Sequence, residues 1–228
     1  MNKTGLDTEA LIRQFSEATT QQGDAVRRAV EEATLKALQG RELSLKSIKD
    51  ALKGVTEAVS AGAAQNRGGT DLDKLLGDAV AGMDAALEQA VQANRKALQQ
   101  MVDQGASLRE TQLKKAVGDI EKMEDSLFAA VRKAAAGSGP ALEGPWAGVL
   151  KTMQGQGTGT GALAGATVEQ LMDGAQKSLK DGRALGLKAS QAMLDSYTAL
   201  VSGVLIGLSD ALQPAAAAAA APGKARKD

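Results

Sequence analysis

The sequence predicts an all-α protein whose long amphipathic helices pack as an antiparallel bundle or in a coiled-coil arrangement. Three observations predict it. Aliphatic residues recur three and four positions apart along most of the 228 residues. Two capping boxes, Ser107 to Glu110 and Thr167 to Gln170, stand ahead of such runs, and no stretch sustains the alternation of a half-buried strand. Phe15, Phe128, Trp146 and Tyr197 are the only aromatic residues, so the apolar faces are aliphatic and dominated by alanine.

From Thr8 to about Gln39, Leu11, Phe15, Ala18, Ala25 or Val26, Ala29 or Val30, Ala33 and Ala37 recur three or four residues apart, and Gly40 supplies a stop. Leu45, Ile48, Leu52, Val55 and Val59 then follow in 3-4-3 spacing, the narrow seam of a coiled coil carried for about two heptads. Residues 1–64 are thus expected to form an N-terminal helical pair. Beyond the connector AGAAQNRGGT, Asp71 or Thr70 caps a third helix with Leu72, Leu76, Val80, Met83, Leu87, Val91, Leu98 and Met101 on its apolar face. Gly105 interrupts that pattern, and residues 65–136 read either as two helices, the second capped at Ser107, or as one rod bent near Gly105. A glycine costs only ~1 kcal/mol against alanine inside a helix, which favours the rod.

Residues 137–166 hold Pro140, Pro145 and the run GQGTGTGALAG, and read as a flexible linker with one short helix that starts at Pro145 and carries Trp146. Thr167 next caps a C-terminal helix over residues 167–213, roughly 70 Å long at ~1.5 Å per residue and expected to fold back antiparallel. Pro214 ends it. Residues 214–228 form an alanine-rich tail without apolar periodicity, expected to be disordered.

The composition argues against catalysis. The chain has no histidine and no cysteine, the residues that supply most near-neutral acid–base chemistry and soft-metal ligation, so no metal, cofactor or enzymatic activity is expected. Gly155, Gly157, Gly159 and Gly161 lack both the GK[ST] ending and the preceding strand of a phosphate-binding loop. Asp71, Asp73 and Asp78 lack the closing glutamate of a calcium loop, because Gly82 stands at its twelfth position. Lysine plus arginine equals aspartate plus glutamate at 27 each, and Arg95, Lys96, Arg109, Lys114 and Lys115 are interleaved with acids, which reads as a solvated face and not a nucleic-acid patch. The N-terminus has no signal-like apolar core, and the longest apolar stretch, between Asp195 and Asp210, is shorter than the ~20 residues that span a bilayer. A cytoplasmic location is the expectation.

Alanine buries little carbon, and at ~0.8 kcal/mol per buried CH₂ an alanine seam drives folding weakly. A partner that covers more apolar area would offset that weakness. The segment SYTALVSGVLIGLSDAL and the residues just before it present the candidate contact: Met193, Tyr197, Leu200, Val204, Leu205, Ile206 and Leu208, with Gly203 and Gly207 allowing close approach. The Leu45–Val59 seam is the second candidate for self-association, and a homo-oligomer is expected.

The stretches DAVAGMDAALEQAVQANRKALQQM and LKASQAMLDSYTALVSGVL, the absent cysteine and the tail PAAAAAAAPGKARKD together resemble the phasins, helical proteins that coat polyhydroxyalkanoate storage granules in bacteria. The resemblance is one of composition and architecture. It implies a non-enzymatic protein that coats an apolar surface, a storage granule first and a lipid interface next. The alternative is a cytoplasmic, self-associating scaffold whose helices bind other protein helices.

Overall fold

The computed structural model describes residues 9, 12, 13, 15, 23–39, 44–65, 71–103 and 111–180, which are helical apart from short turns. No strand occurs among them. The chain forms α1 (Asp24–Leu38), α2 (Leu45–Gln65), α3 (Leu72–Asp103), α4 (Thr111–Glu121), α5 (Met123–Gly137), α6 (Pro140–Gln156) and α7 (Gly159–Lys180). The all-α class that the spacing predicts is therefore the class observed.

The first expected helix is divided. Glu9, Ile12, Arg13 and Phe15 are helical, but Gly23 takes φ 52°, a conformation glycine adopts without steric cost, and α1 begins at Asp24. Periodicity alone passed over this break because Val26 and Val30 continue the apolar spacing. Phe15 is buried and its ring lies against Gly62 of α2. The void it leaves with Ala29, Val30, Ala33, Val55 and Val59 is about 10 Å³, no larger than one water.

α3 is the axis of the molecule, packing against every other helix. Asp71 caps it, accepting the N–H groups of Asp73 at 3.1 Å and Lys74 at 3.2 Å. Its buried positions repeat every eleven residues: Leu75, Ala86 and Ala97; Leu76, Leu87 and Leu98; Ala79, Ala90 and Met101. A period of ~11 residues over three turns keeps a face in place without the left-handed supercoil that a strict heptad imposes. The same period governs its register with the last two helices. Asp73 lies beside Gly148, Asp84 bonds the Gly159 N–H at 2.8 Å, and Arg95 bonds Gln170 at 3.1 Å, so α6 and α7 run parallel to α3 with a constant offset.

The continuous central rod is not what forms. Asp84 on α3 and Glu124 on α5 both bond the turn that opens α7, whereas one straight helix would set them about 60 Å apart. The chain thus reverses between α3 and α4, and α4 with α5 makes a separate leg antiparallel to α3. This extra reversal also explains why α7, expected antiparallel to the central helix, is parallel to α3. Residues 104–110, including Gly105 and the Ser107 box, lie outside the described residues.

The expected linker at 137–166 is instead mostly helix. α6 starts at Pro140, where the missing N–H of proline belongs to a group no helix would satisfy, and Pro145 sits inside it. Leu142, Trp146, Val149 and Met153 form its buried face, and their burial offsets the hydrogen bond that Pro145 forfeits.

The Leu45–Val59 seam is covered by the chain itself. Ile48, Leu52, Val55 and Val59 are buried in the common core, with Leu45 half-buried at the end. α2 therefore offers no open coiled-coil seam to a second chain. Among the described residues, Met172 is the single large apolar side chain left exposed, at 56 %.

Candidate functional site

Two features stand out from the packed core. The first is the start of α7. Gly157, with φ 72°, closes α6 by donating its N–H to the Met153 carbonyl at 2.8 Å. Thr158 then serves as the N-cap: its hydroxyl accepts the Gly161 N–H at 3.0 Å and donates to Glu124 Oε1 at 2.7 Å. The two remaining free N–H groups of the first turn, on Gly159 and Thr160, are taken by the two oxygens of Asp84 at 2.8 and 3.0 Å. The Thr160 hydroxyl also donates to the Asp84 carbonyl at 3.2 Å. A carboxylate from α3 and one from α5 thus meet the positive end of the α7 dipole, an arrangement typically worth ~0.3–1 kcal/mol for each charge.

The glycine run has a physical role that its composition conceals. A Cβ on Gly159 would collide with the Glu88 carboxylate, and a Cβ on Gly161 would collide with that of Glu124. Glycine lets these acidic side chains close over the helix start, and a larger residue would make the carboxylates swing aside. The reading of this run as a flexible linker is corrected accordingly, and the helix cap lies at Thr158. Thr167, the cap expected from its box, is buried in mid-helix with no hydrogen-bond partner for its hydroxyl.

Electrostatics at this node are unbalanced. Burial, then repulsion from Asp84 and Glu31, hold the Glu88 carboxyl above the ordinary glutamate value, with Arg27 of α1 pulling the other way. A raised native value means that the folded protein binds this proton more tightly than the unfolded chain does. Its stabilising contribution is therefore complete below the unfolded value and is lost as pH rises through the native one. Glu88→Gln, which mimics the protonated form, is expected to raise the thermal midpoint at pH 7 and to lose that advantage below about pH 4. Melting curves of both proteins across this range check the sign.

The second feature is an open groove of about 440 Å³ between α2 and α5. Ala130, Ala134, Thr56, Ser60, Ser126 and Ser138 line its inner part. Lys49, Asp50, Lys53, Glu57 and Lys133 line it as well, and Lys53 approaches Glu57 at 3.8 Å.

The residues singled out from sequence fall in part within the described structure and in part outside it. Asp71 is a cap, as expected; Arg95 reaches Gln170, while Lys96, Lys114 and Lys115 are exposed. Met193, Tyr197, Leu200, Val204, Leu205, Ile206 and Leu208 lie outside the described residues, as does the tail 214–228. Asp84, Glu88, Glu124 and Thr158 were not anticipated. No group of three or more acidic residues able to hold a metal ion occurs among the described residues.

A model of a family of unknown function, DUF6781, matches residues 1–214. The chain belongs to this family. No curated protein and no solved structure matches it. The matched span includes both the bundle and the apolar segment that follows Lys180.

Proposed function

We propose that this protein is a non-enzymatic coat for an apolar surface, adsorbed through Met193, Tyr197, Leu200, Val204, Leu205, Ile206 and Leu208. The observation that carries this reading is the contrast between two parts of one chain. From α1 to α7 the large apolar side chains are turned inward, with Met172 the exception among the described residues. The sequence that continues from α7 is richer in large aliphatic residues than any stretch of the bundle and carries only Asp195 and Asp210 as charges between Ala189 and Gln213. Its uncharged stretch between Asp195 and Asp210 is shorter than the ~20 residues that span a bilayer, so adsorption at an interface is the mode this composition favours. The resemblance to phasins points to a storage granule as the first surface to try, with lipid next.

Sedimentation with polyester granules and with lipid vesicles tests the reading. Wild type is expected to pellet with at least one of them, and Val204→Asp to bind about tenfold more weakly or worse, since burying a valine contributes ~1.5–3 kcal/mol and a charge on that face opposes insertion. Folded wild type left wholly in both supernatants would replace this reading by the self-associating scaffold that binds other helices. Equal binding by Val204→Asp would move the contact away from this segment.

A further inference from the structure

The groove between α2 and α5 carries its charges at the rim, while the hydroxyl groups of its inner part are turned to partners within the protein. The Thr56 hydroxyl donates to the Leu52 carbonyl at 2.7 Å, and that of Ser126 to the Lys122 carbonyl at 2.9 Å. Ser60 Oγ accepts from Trp146 Nε1 at 3.2 Å and from the Ser138 hydroxyl at 3.1 Å. With these groups engaged inside the protein, the groove offers an occupant mainly the carbon of the same side chains and of Ala130 and Ala134. A ligand seeking hydrogen bonds gains little there, whereas apolar side chains gain burial. Three lysines against two acids leave the rim with an excess of positive charge.

We infer that this groove is the docking site of the C-terminal part of the chain's own segment 189–213. The segment is apolar along most of its length, and its two charges, Asp195 and Asp210, are both acidic, which complements a carbon-lined groove with a positive rim. Gly203 and Gly207 leave one side of a helix without side chains, as close approach to Ala130 and Ala134 requires. The segment also reaches. Thr158, just ahead of α7, bonds Glu124, which lies two positions from Ser126 in the groove. The 22 residues of α7 carry the chain about 33 Å from that level, away from the groove, so a helical return takes up about 22 residues and brings about residues 203–213 to the α5 side chains. Docking does not depend on the coating function. If that function holds, the groove shelters the adsorbing side chains until a surface competes for them, a consequence that rests on the reading above.

The absence of cysteine makes a direct test possible in the full chain. Ala130→Cys is combined in turn with Tyr197→Cys, Leu200→Cys, Val204→Cys and Leu208→Cys, with Gly223→Cys in the tail as the reference partner. Disulfide formation in a glutathione buffer is followed on non-reducing gels. At least one of the four pairs is expected to close within a single chain about tenfold faster than the reference, by the effective-concentration argument. Lys133→Cys, on the exposed rim where folding is not at stake, should reproduce the pattern. Rates no faster than the reference from both positions would overturn the proposal. Disulfides that join two chains would also overturn it, in favour of docking between copies. No granule or vesicle is present, so this result and the sedimentation result can fail separately.

Discussion

Gly82→Ala is expected to destabilise the protein by about 1–2 kcal/mol, although alanine is the better helix former by ~1 kcal/mol. At this point α3 and α1 are in near backbone contact. An added Cβ would press on the Arg27 carbonyl oxygen and stand 3.1 Å from both the Glu31 nitrogen and the Val30 Cβ. Backbone on one side and a β-branched side chain on the other cannot move aside without shifting α1. Gly77, five residues earlier in the same helix, has nothing within 4 Å of the equivalent position, and neither does Gly118 in α4. Gly77→Ala and Gly118→Ala should therefore stabilise by up to ~1 kcal/mol. Chemical denaturation of the three variants would show opposite signs for one and the same substitution. Three shifts of equal sign would mean that α1 and α3 are not in contact at Gly82.

The contrast also shows what the sequence could and could not disclose. Helical identity and the inward face of α3 were readable, because Leu72, Leu76, Val80, Met83, Leu87, Val91, Leu98 and Met101 are large enough to mark a face by themselves, and all are buried except Leu72, which is half-buried at the start of the helix. The cap at Asp71 was readable for a similar reason: capping is settled within one turn of chain. Glycines were not readable. Gly23, Gly82 and Gly159 look alike in a sequence, yet one turns the chain, one admits a neighbouring helix and one admits a carboxylate.

The helix start at Gly159 was missed for the same physical reason. Composition assigns a Gly/Thr run to a linker because glycine is flexible when nothing holds it. Here the holding groups, Asp84 and Glu124, are supplied from α3 and α5, far away in the sequence. Thr167 is the converse case: its local pattern met the rule for a cap, but tertiary packing placed it in the core of α7. The reversal after α3 was hidden by energetics of the same size. A glycine penalty of ~1 kcal/mol is small beside the burial gained when α4 and α5 fold back on the bundle, so local propensity could not decide between rod and hairpin.

Trp146→Ala should be the most damaging single change in the molecule, at about 3–5 kcal/mol, because it removes the largest side chain of the core and leaves a cavity that rigid helices cannot close. Trp146 is fully buried, and α6 packs on α3, α5 and α2, so its ring sits where three legs of the bundle converge. Against a typical total stability of ~5–15 kcal/mol, and an alanine-rich core that argues for the lower end, the loss would leave a protein that is partly unfolded at 37 °C. The indole nitrogen adds a separable term. Ser60→Ala strands a buried N–H and should cost ~1–3 kcal/mol, and Trp146→Phe removes the N–H along with some volume. Combined, the two should cost less than the sum of the singles, since each removes the partner that the other leaves unsatisfied. Urea unfolding followed by circular dichroism, which does not depend on the tryptophan itself, measures all four proteins in one series. Strict additivity would mean that Ser60 and Trp146 do not interact in solution, and that Ser138 alone holds the Ser60 hydroxyl at the end of the α2–α5 groove.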